Sequence, residues 1–301
     1  MKILMALFPL MTFIGLGYLM KRRDFLSDEF WRGAEKLNYF VLFPAMLFQN
    51  LAFIQLNWQD LWPVLQVAGI GIAVIGVLMW LLKYLFQIPA ARFGVYVQSH
   101  LRFNTYMGLS LVGALLGQAG MQIFAVLMAI AIPVVNILSV LALSSQQQQN
   151  WSETCVSLLK NPLILGCLVG LMFNLSGLSL WQGAQDAIRL MAAVSLPLGL
   201  LCIGAALQFS ALGSAWRALL INSVGRLLVV PVFAYLLAVL MSLTALQTMV
   251  LVVFFALPTA SASYILTRYL HGDYQLMAGV ISLQTLLFGL SFPLMMWSLS
   301  L

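Results

Sequence analysis

The sequence predicts an all-α membrane protein with ten transmembrane helices, and three observations carry that prediction. Apolar residues make up 63% of the 301 and charged residues 7%, with a mean hydropathy of +1.02. A soluble domain needs about 25% charged residues to solvate its surface, so lipid must be the solvent here. The apolar residues fall in runs of about 20, the length that crosses a hydrocarbon core of roughly 30 Å at 1.5 Å per helical residue. Short polar breaks separate these runs and hold most of the charges.

The spans lie near 3–20, 36–55, 61–82, 92–116, 120–144, 162–180, 184–207, 215–240, 245–269 and 275–299. The first is longer than the apolar region of a leader, and Lys21-Arg22-Arg23 follows it directly, so it reads as a span. No charge occurs from Phe103 to Ser152, and the turn Gly117-Gln118-Ala119-Gly120 divides that stretch into spans four and five. Odd-numbered connections and adjoining span ends hold Lys21, Arg22, Arg23, Arg32, Lys36, Lys83, Arg92, Lys160, Arg217 and Arg268. Lys2 and Arg189 lie near the other side. Positive residues gather in the cytoplasm, which puts both termini on the non-cytoplasmic side of a plasma (inner) membrane. The same bias accounts for the net charge of +6 without a nucleic-acid partner. The polar stretch Ser144 to Glu153 is a cytoplasmic connector, where the sequon Asn150-Trp151-Ser152 would go unused.

An offset of 153 residues sets Pro9 on Pro162, Gly17 on Gly170 and Pro44 on Pro197. The chain holds only 10 prolines, so the proline matches weigh most. The expected organisation is a five-helix repeat over 1–145, a polar linker over 146–160, and a second repeat over 161–301. Five spans is an odd number, so the second copy enters the membrane the opposite way round. Inverted repeats are typical of secondary transporters, whose site lies near the midplane among interrupted helices. Pro44, Pro197 and Gly108 are the expected hinge or helix-break positions.

Span four contains Gln98-Ser99-His100-Leu101-Arg102-Phe103-Asn104-Thr105-Tyr106-Met107-Gly108, the most polar stretch within any span. Arg102 follows Arg92 by about 15 Å of helix and so approaches mid-membrane. Span nine, its counterpart, reads Ala256-Leu257-Pro258-Thr259-Ala260-Ser261-Ala262-Ser263-Tyr264, and one inserted residue sets Asn104 opposite Pro258. Broken, crossing helices there would offer Asn104, Thr105, Pro258, Thr259, Ser261 and Arg102 to a substrate, with free backbone N–H groups beside them. Each amide or hydroxyl also has an ordinary reading, a bond to a neighbouring helix. Arg102 could bind an anion, snorkel or pair with a carbonyl. His100 is the lesser candidate, for a proton relay, and Arg226 reads as a packed or snorkelling residue. All eight acids lie in or near connections, which disfavours cation exchange on a buried carboxylate and favours a neutral or anionic solute. No H-E-x-x-H, G-x-S-x-G or G-x-x-x-x-G-K motif is present, so neither an enzyme nor a metal site is expected.

Phe103-Asn104-Thr105-Tyr106-Met107-Gly108, Ile132-Pro133-Val134-Val135-Asn136 in span five, Ala256-Leu257-Pro258-Thr259-Ala260-Ser261 and Leu42-Phe43-Pro44-Ala45 resemble the auxin efflux carrier family in order and spacing. The resemblance covers nearly the whole chain. It implies two inverted five-helix repeats with helices four and nine broken and crossing at the substrate, a fold shared with bile-acid sodium symporters. It also implies a scaffold part and a moving part, in a homodimer. Asn104 then matches the asparagine at the crossover, Pro258 the helix-nine break, and Asn136 joins the substrate-binding candidates. The family includes PIN-type plant auxin carriers and bacterial members associated with malate or malonate transport. This chain lacks the long cytoplasmic loop of many plant members, and one proline stands in span nine where those tend to have two. A small mono- or dicarboxylate therefore fits better than auxin. The expected protein is a secondary transporter of an organic anion by alternating access, with no cofactor and with Na+ or H+ coupling left open. Alternatives are a sodium-coupled bile-acid-type symporter and a channel or receptor of the same fold.

Overall fold

The computed structural model describes residues 2–53, 58–143, 161–213 and 215–299. The linker 146–160 and the sequon lie outside the described residues. Helices and turns account for all described secondary structure, and no strand occurs among the described residues. In chain order the helices are α1 (Lys2–Arg22), α2 (Asp28–Leu37), α3 (Phe43–Ala52), α4 (Trp58–Phe86), α5 (Ala90–Leu101), α6 (Thr105–Leu143) and α7 (Pro162–Ser176). There follow α8 (Gln182–Ala205), α9 (Trp216–Val224), α10 (Val230–Leu240), α11 (Ala245–Ala256), α12 (Ala262–Tyr269) and α13 (Tyr274–Ser298). Among the described residues six helical stretches are long and apolar enough to cross a membrane: Lys2–Arg22, Leu61–Phe86, Ala90–Leu143, Gln182–Ala205, Trp216–Leu240 and Tyr274–Ser298. Large apolar side chains such as Phe8 (73% exposed) and Trp297 (81%) stand on the outside, where lipid covers them without cost. The protein is a multi-pass membrane protein.

Local chemistry explains the irregular places. At 39 residues α6 would be about 58 Å long, far more than one crossing needs. It is interrupted at Gly117, whose φ of 60° and ψ of −152° suit a residue without a Cβ. Two π turns, Asn38–Leu42 and Gly225–Val229, each stand just ahead of a proline, Pro44 and Pro231. A proline has no N–H for the carbonyl four residues back, and its ring clashes with that carbonyl. Widening the preceding turn relieves the clash. The N–H of Phe43 accordingly bonds back to Asn38, and that of Val230 to Gly225.

The chain forms two compact units, each drawing on both halves of the sequence. One comprises Met1–Trp58, Leu109–Ile130 and Trp151–Ala206; the other comprises Gln59–Gly108, Ala131–Asn150 and Leu207–Leu301. In the first, α1 lies against α8 and α3 against α7, and glycines set both approaches. Gly17 rests on the Leu201 backbone and Gly204 on that of Ile14. Likewise Gly170 rests on Phe48 and Leu51, and Gly166 on Pro44. Small residues of this kind let helix backbones approach in lipid, where no hydrophobic force drives association. The π turn also holds Asn38, which forms a buried reciprocal pair: its Nδ2 donates to Ser195 O (3.1 Å), and its Oδ1 accepts from Ser195 Oγ (3.0 Å).

In the second unit, α5, α9 and α13 enclose a core of Val95, Leu219, Leu276, Met277, Val280 and Ile281. Asp273 caps α13 by accepting from Leu276 N (3.0 Å) and pairs with Arg92 (3.4 Å). A capping box of Thr244 and Gln247 starts α11. These caps fix where α11 and α13 begin, and so where their inner residues meet the breaks described next.

Candidate functional site

Two helices of the second unit are interrupted. Helix is lost between α5 and α6 at residues 102–104, where Arg102 is extended, and between α11 and α12 at residues 257–261, where Leu257 turns out of the helix. Pro258 accounts for the second break, because its ring pushes Leu257 out of the α region (ψ 139°). Each break strands carbonyls at one helix end and N–H groups at the next. In hydrocarbon such groups cost several kcal/mol apiece unless paired.

The pairing is done by the two breaks themselves and by side chains that reach them. Asn104 N donates to Pro258 O (2.9 Å), so the breaks touch. At the end of α5, Gln98 O accepts from Arg102 N (2.9 Å) and Ser99 O lies 3.1 Å from the Thr259 hydroxyl. The buried Arg226 donates through Nη1 to His100 O and through Nε to Leu257 O (2.7 Å), serving both helix ends at once. Thr259 N donates to Gln284 Oε1 (2.9 Å), and its hydroxyl is 2.7 Å from the same oxygen. Asn104 then starts α6, its Oδ1 accepting from Met107 N (3.2 Å) and its carbonyl from Gly108 N (3.0 Å).

Three N–H donors at this crossing are buried and have no partner among the described residues: Asn104 Nδ2, Arg226 Nη2 and Gln284 Nε2. Asn104 is held on Pro258 by its backbone N–H, and the Arg226 and Gln284 side chains are held on Leu257 and Thr259, so the three meet consecutive residues of one break. Arg226, 1% exposed, is the fully buried full charge among the described residues. An array of unfilled donors beside a buried cation is chemistry for an anion.

Among the residues singled out from the sequence, Asn104, Pro258 and Thr259 come together at the crossing. Thr105 is half-buried at the first position of α6, and Gly108 is buried one turn on. Ser261 precedes α12, half-buried, with no side-chain capping bond. Arg102 is half-buried and turns back to its own helix, donating from Nη1 to Gln98 Oε1 (3.1 Å), while Gln98 Nε2 donates to Thr267 Oγ1 (2.8 Å). His100 is buried, with Nδ1 2.9 Å from Tyr96 O. Asn136 lies half-buried further along α6. Pro44 and Pro197 belong to the other unit; Pro44 follows a π turn, and α8 continues through Pro197.

Of the two readings of Arg226, packed or snorkelling, the structure shows the packed one, with the guanidinium bonded to carbonyls inside the protein. Gln284 was missed altogether. Both are polar residues within apolar stretches, and for the ionisable Arg226 that was a signal in the sequence for a candidate site.

Thr259 has a measurable share in this wiring. Thr259→Val should keep the shape but remove the single O–H donor that lies between Ser99 O and Gln284 Oε1, leaving Ser99 O without it and costing about 1–3 kcal/mol. A thermal midpoint several degrees below wild type is expected, with Thr259→Ser close to wild type. Equal midpoints for Val and Ser would show the hydroxyl to be idle.

Helices of this length and apolarity, two of them interrupted and touching at their breaks beside unfilled donors, define a membrane protein with a polar site among its apolar helices. The family described as "Membrane transport protein" matches residues 2–296. The chain belongs to that family, that of the auxin efflux carriers. No curated protein matches the sequence.

Proposed function

We propose that this transporter carries a small organic anion, a mono- or dicarboxylate, by alternating access, with the carboxylate held at the crossing of residues 102–104 and 257–261. The observation that carries the reading is Asn104 Nδ2, a buried donor with no partner among the described residues, fixed in place because Asn104 is also bonded to Pro258 and to the first turn of α6. The N-terminal ends of α6 and α12 add partial positive charge of about half an elementary charge each. Thr105 and Ser261 stand at those ends, within reach of the same ligand by their place in the chain, and Asn136 and Arg102 serve the path leading to it.

The helix order reads as ten spans in two inverted repeats, with α5 and the start of α6 as span four and α11 with α12 as span nine. Packing in the first unit supports the repeat. Gly17 rests on Leu201, and at an offset of 153 residues the equivalent pair, Gly170 and Phe48, is also in contact. Two matched glycines thus make matched contacts, as a twofold relation requires. The protein works in the plasma (inner) membrane with both termini outside, as a homodimer.

Proteoliposomes loaded with unlabelled malonate, malate or acetate test this directly. Saturable uptake of the labelled acid, accelerated by unlabelled acid on the far side, is expected. Linear flux without counterflow would make the protein a channel, and no flux of any carboxylate would remove the anion reading.

A further inference from the structure

The end of an interrupted helix presents carbonyl oxygens carrying about half a negative charge, and in secondary carriers such ends are where coupling cations are held. This protein has two such ends together. The last turn of α5 and the residue following α11 are linked by one side chain, Arg226, bonded to His100 O and Leu257 O. Two ends of about −0.5 each sum to about −1, which one guanidinium balances. We propose that Arg226 is a tethered cation, standing where a mobile alkali cation would otherwise bridge the two broken helices, so that the crossing is complete without bound sodium.

The local build fits this role. Arg226 lies in the π turn Gly225–Val229 that Pro231 imposes on the helix pair α9 and α10. Its neighbour Gly225 has no side chain where a Cβ would come within 2.6 Å of His100 Nε2, so α5 and the π turn approach closely. The unit's acids, Asp60 and Asp273, lie in or near connections by sequence, and Asp273 is committed to Arg92. Among the described residues no carboxylate is hydrogen-bonded to Arg226, and its partners are backbone carbonyls of the two interrupted helices. Arg226 is thus a positioning residue whose charge answers helix ends rather than a side chain. The proposal concerns the scaffold of the crossing, so it stands whatever solute is carried.

The test reads thermal unfolding of the purified full chain, with no substrate present, in choline, sodium and guanidinium chlorides at matched, non-denaturing concentration. Wild type should show one midpoint in all three salts. Arg226→Ala leaves two carbonyl ends facing each other without a cation, and its midpoint should fall by roughly 5–10 °C in choline. Guanidinium, and to a lesser degree sodium, should recover part of that loss. A saturable rise of the wild-type midpoint with sodium would overturn the proposal, as would an alanine variant that responds equally to all three salts. Should the alanine chain not insert, Arg226→Gln, which keeps a polar side chain and removes the charge, is read in the same way. Guanidinium should raise its midpoint and choline should not. No response in the glutamine variant would overturn the proposal.

Discussion

Asn104→Asp should abolish carboxylate transport while leaving the protein folded and inserted. The two atoms of the Asn104 amide have separate duties. Oδ1 caps α6 by accepting from Met107 N, and Nδ2 is buried with no partner among the described residues. Aspartate keeps the cap, and at a helix N-terminus it is as good a capping residue as asparagine. What it removes is the donor, replacing it with an acceptor that repels an incoming carboxylate. Asn104→Ser makes the milder change, retaining a capping oxygen at shorter reach and removing the amide donor without adding charge. A hydrogen bond to a charged group is worth about 1.5–3 kcal/mol, which corresponds to roughly tenfold to hundredfold weaker binding in the serine variant. Asn104→Ala loses the cap as well, and should combine the transport defect with about 1 kcal/mol of destabilisation. Uptake assays beside thermal unfolding separate the two duties. If the aspartate variant transports at the wild-type rate, the amide is only a cap and the ligand lies elsewhere.

The places that sequence reasoning located were those written in local chemistry. Gly117 falls in the Gly-Gln-Ala-Gly turn, and the structure interrupts α6 there through a backbone conformation that glycine tolerates. Pro258 has no N–H and restricts the residue before it, so a break at 257–261 follows from one residue type. The partners of those breaks were not legible, because they come from far along the chain. Arg226 reaches His100 across 126 residues, and Thr259 reaches Ser99 across 160. Nothing in the sequence states which helices adjoin. Arg102 and Arg226 look alike as isolated charges in apolar runs, yet Arg102 folds back on Gln98 while Arg226 bridges two helix ends. The difference lies in the π turn ahead of Pro231, which resets the direction of the side chains beside it.

Gly204→Val should prevent the first unit from assembling. A Cβ at Gly204 would fall on the carbonyl of Ile14 and within 2.9 Å of Tyr18 N, and both are backbone atoms that cannot rotate aside. Gly17 presents the same collision to Leu201 from the opposite helix. Relief requires α1 and α8 to move apart over the whole contact. That movement opens gaps around Leu10, Ile14, Leu200 and Ile203, which are buried now. Overpacking in a core costs about 1–3 kcal/mol even when a side chain can yield. Here backbone must yield, and the cost falls at or above the upper end. In lipid nothing compensates, because separated helices gain equally apolar neighbours. Gly15 supplies the control: it lies in α1 with nothing within 4 Å of its Cβ position, so Gly15→Val adds the same side chain facing open space. Size-exclusion profiles and thermal midpoints in mild detergent should show Gly15→Val near wild type and Gly204→Val aggregated or lacking a cooperative transition. A folded Gly204→Val protein with the wild-type midpoint would mean that α1 and α8 do not meet backbone to backbone. The glycine pairing that supports the inverted repeat would then lose one of its two members, Gly17 on Leu201, since that contact belongs to the approach of α1 and α8 while Gly170 on Phe48 joins α7 to α3.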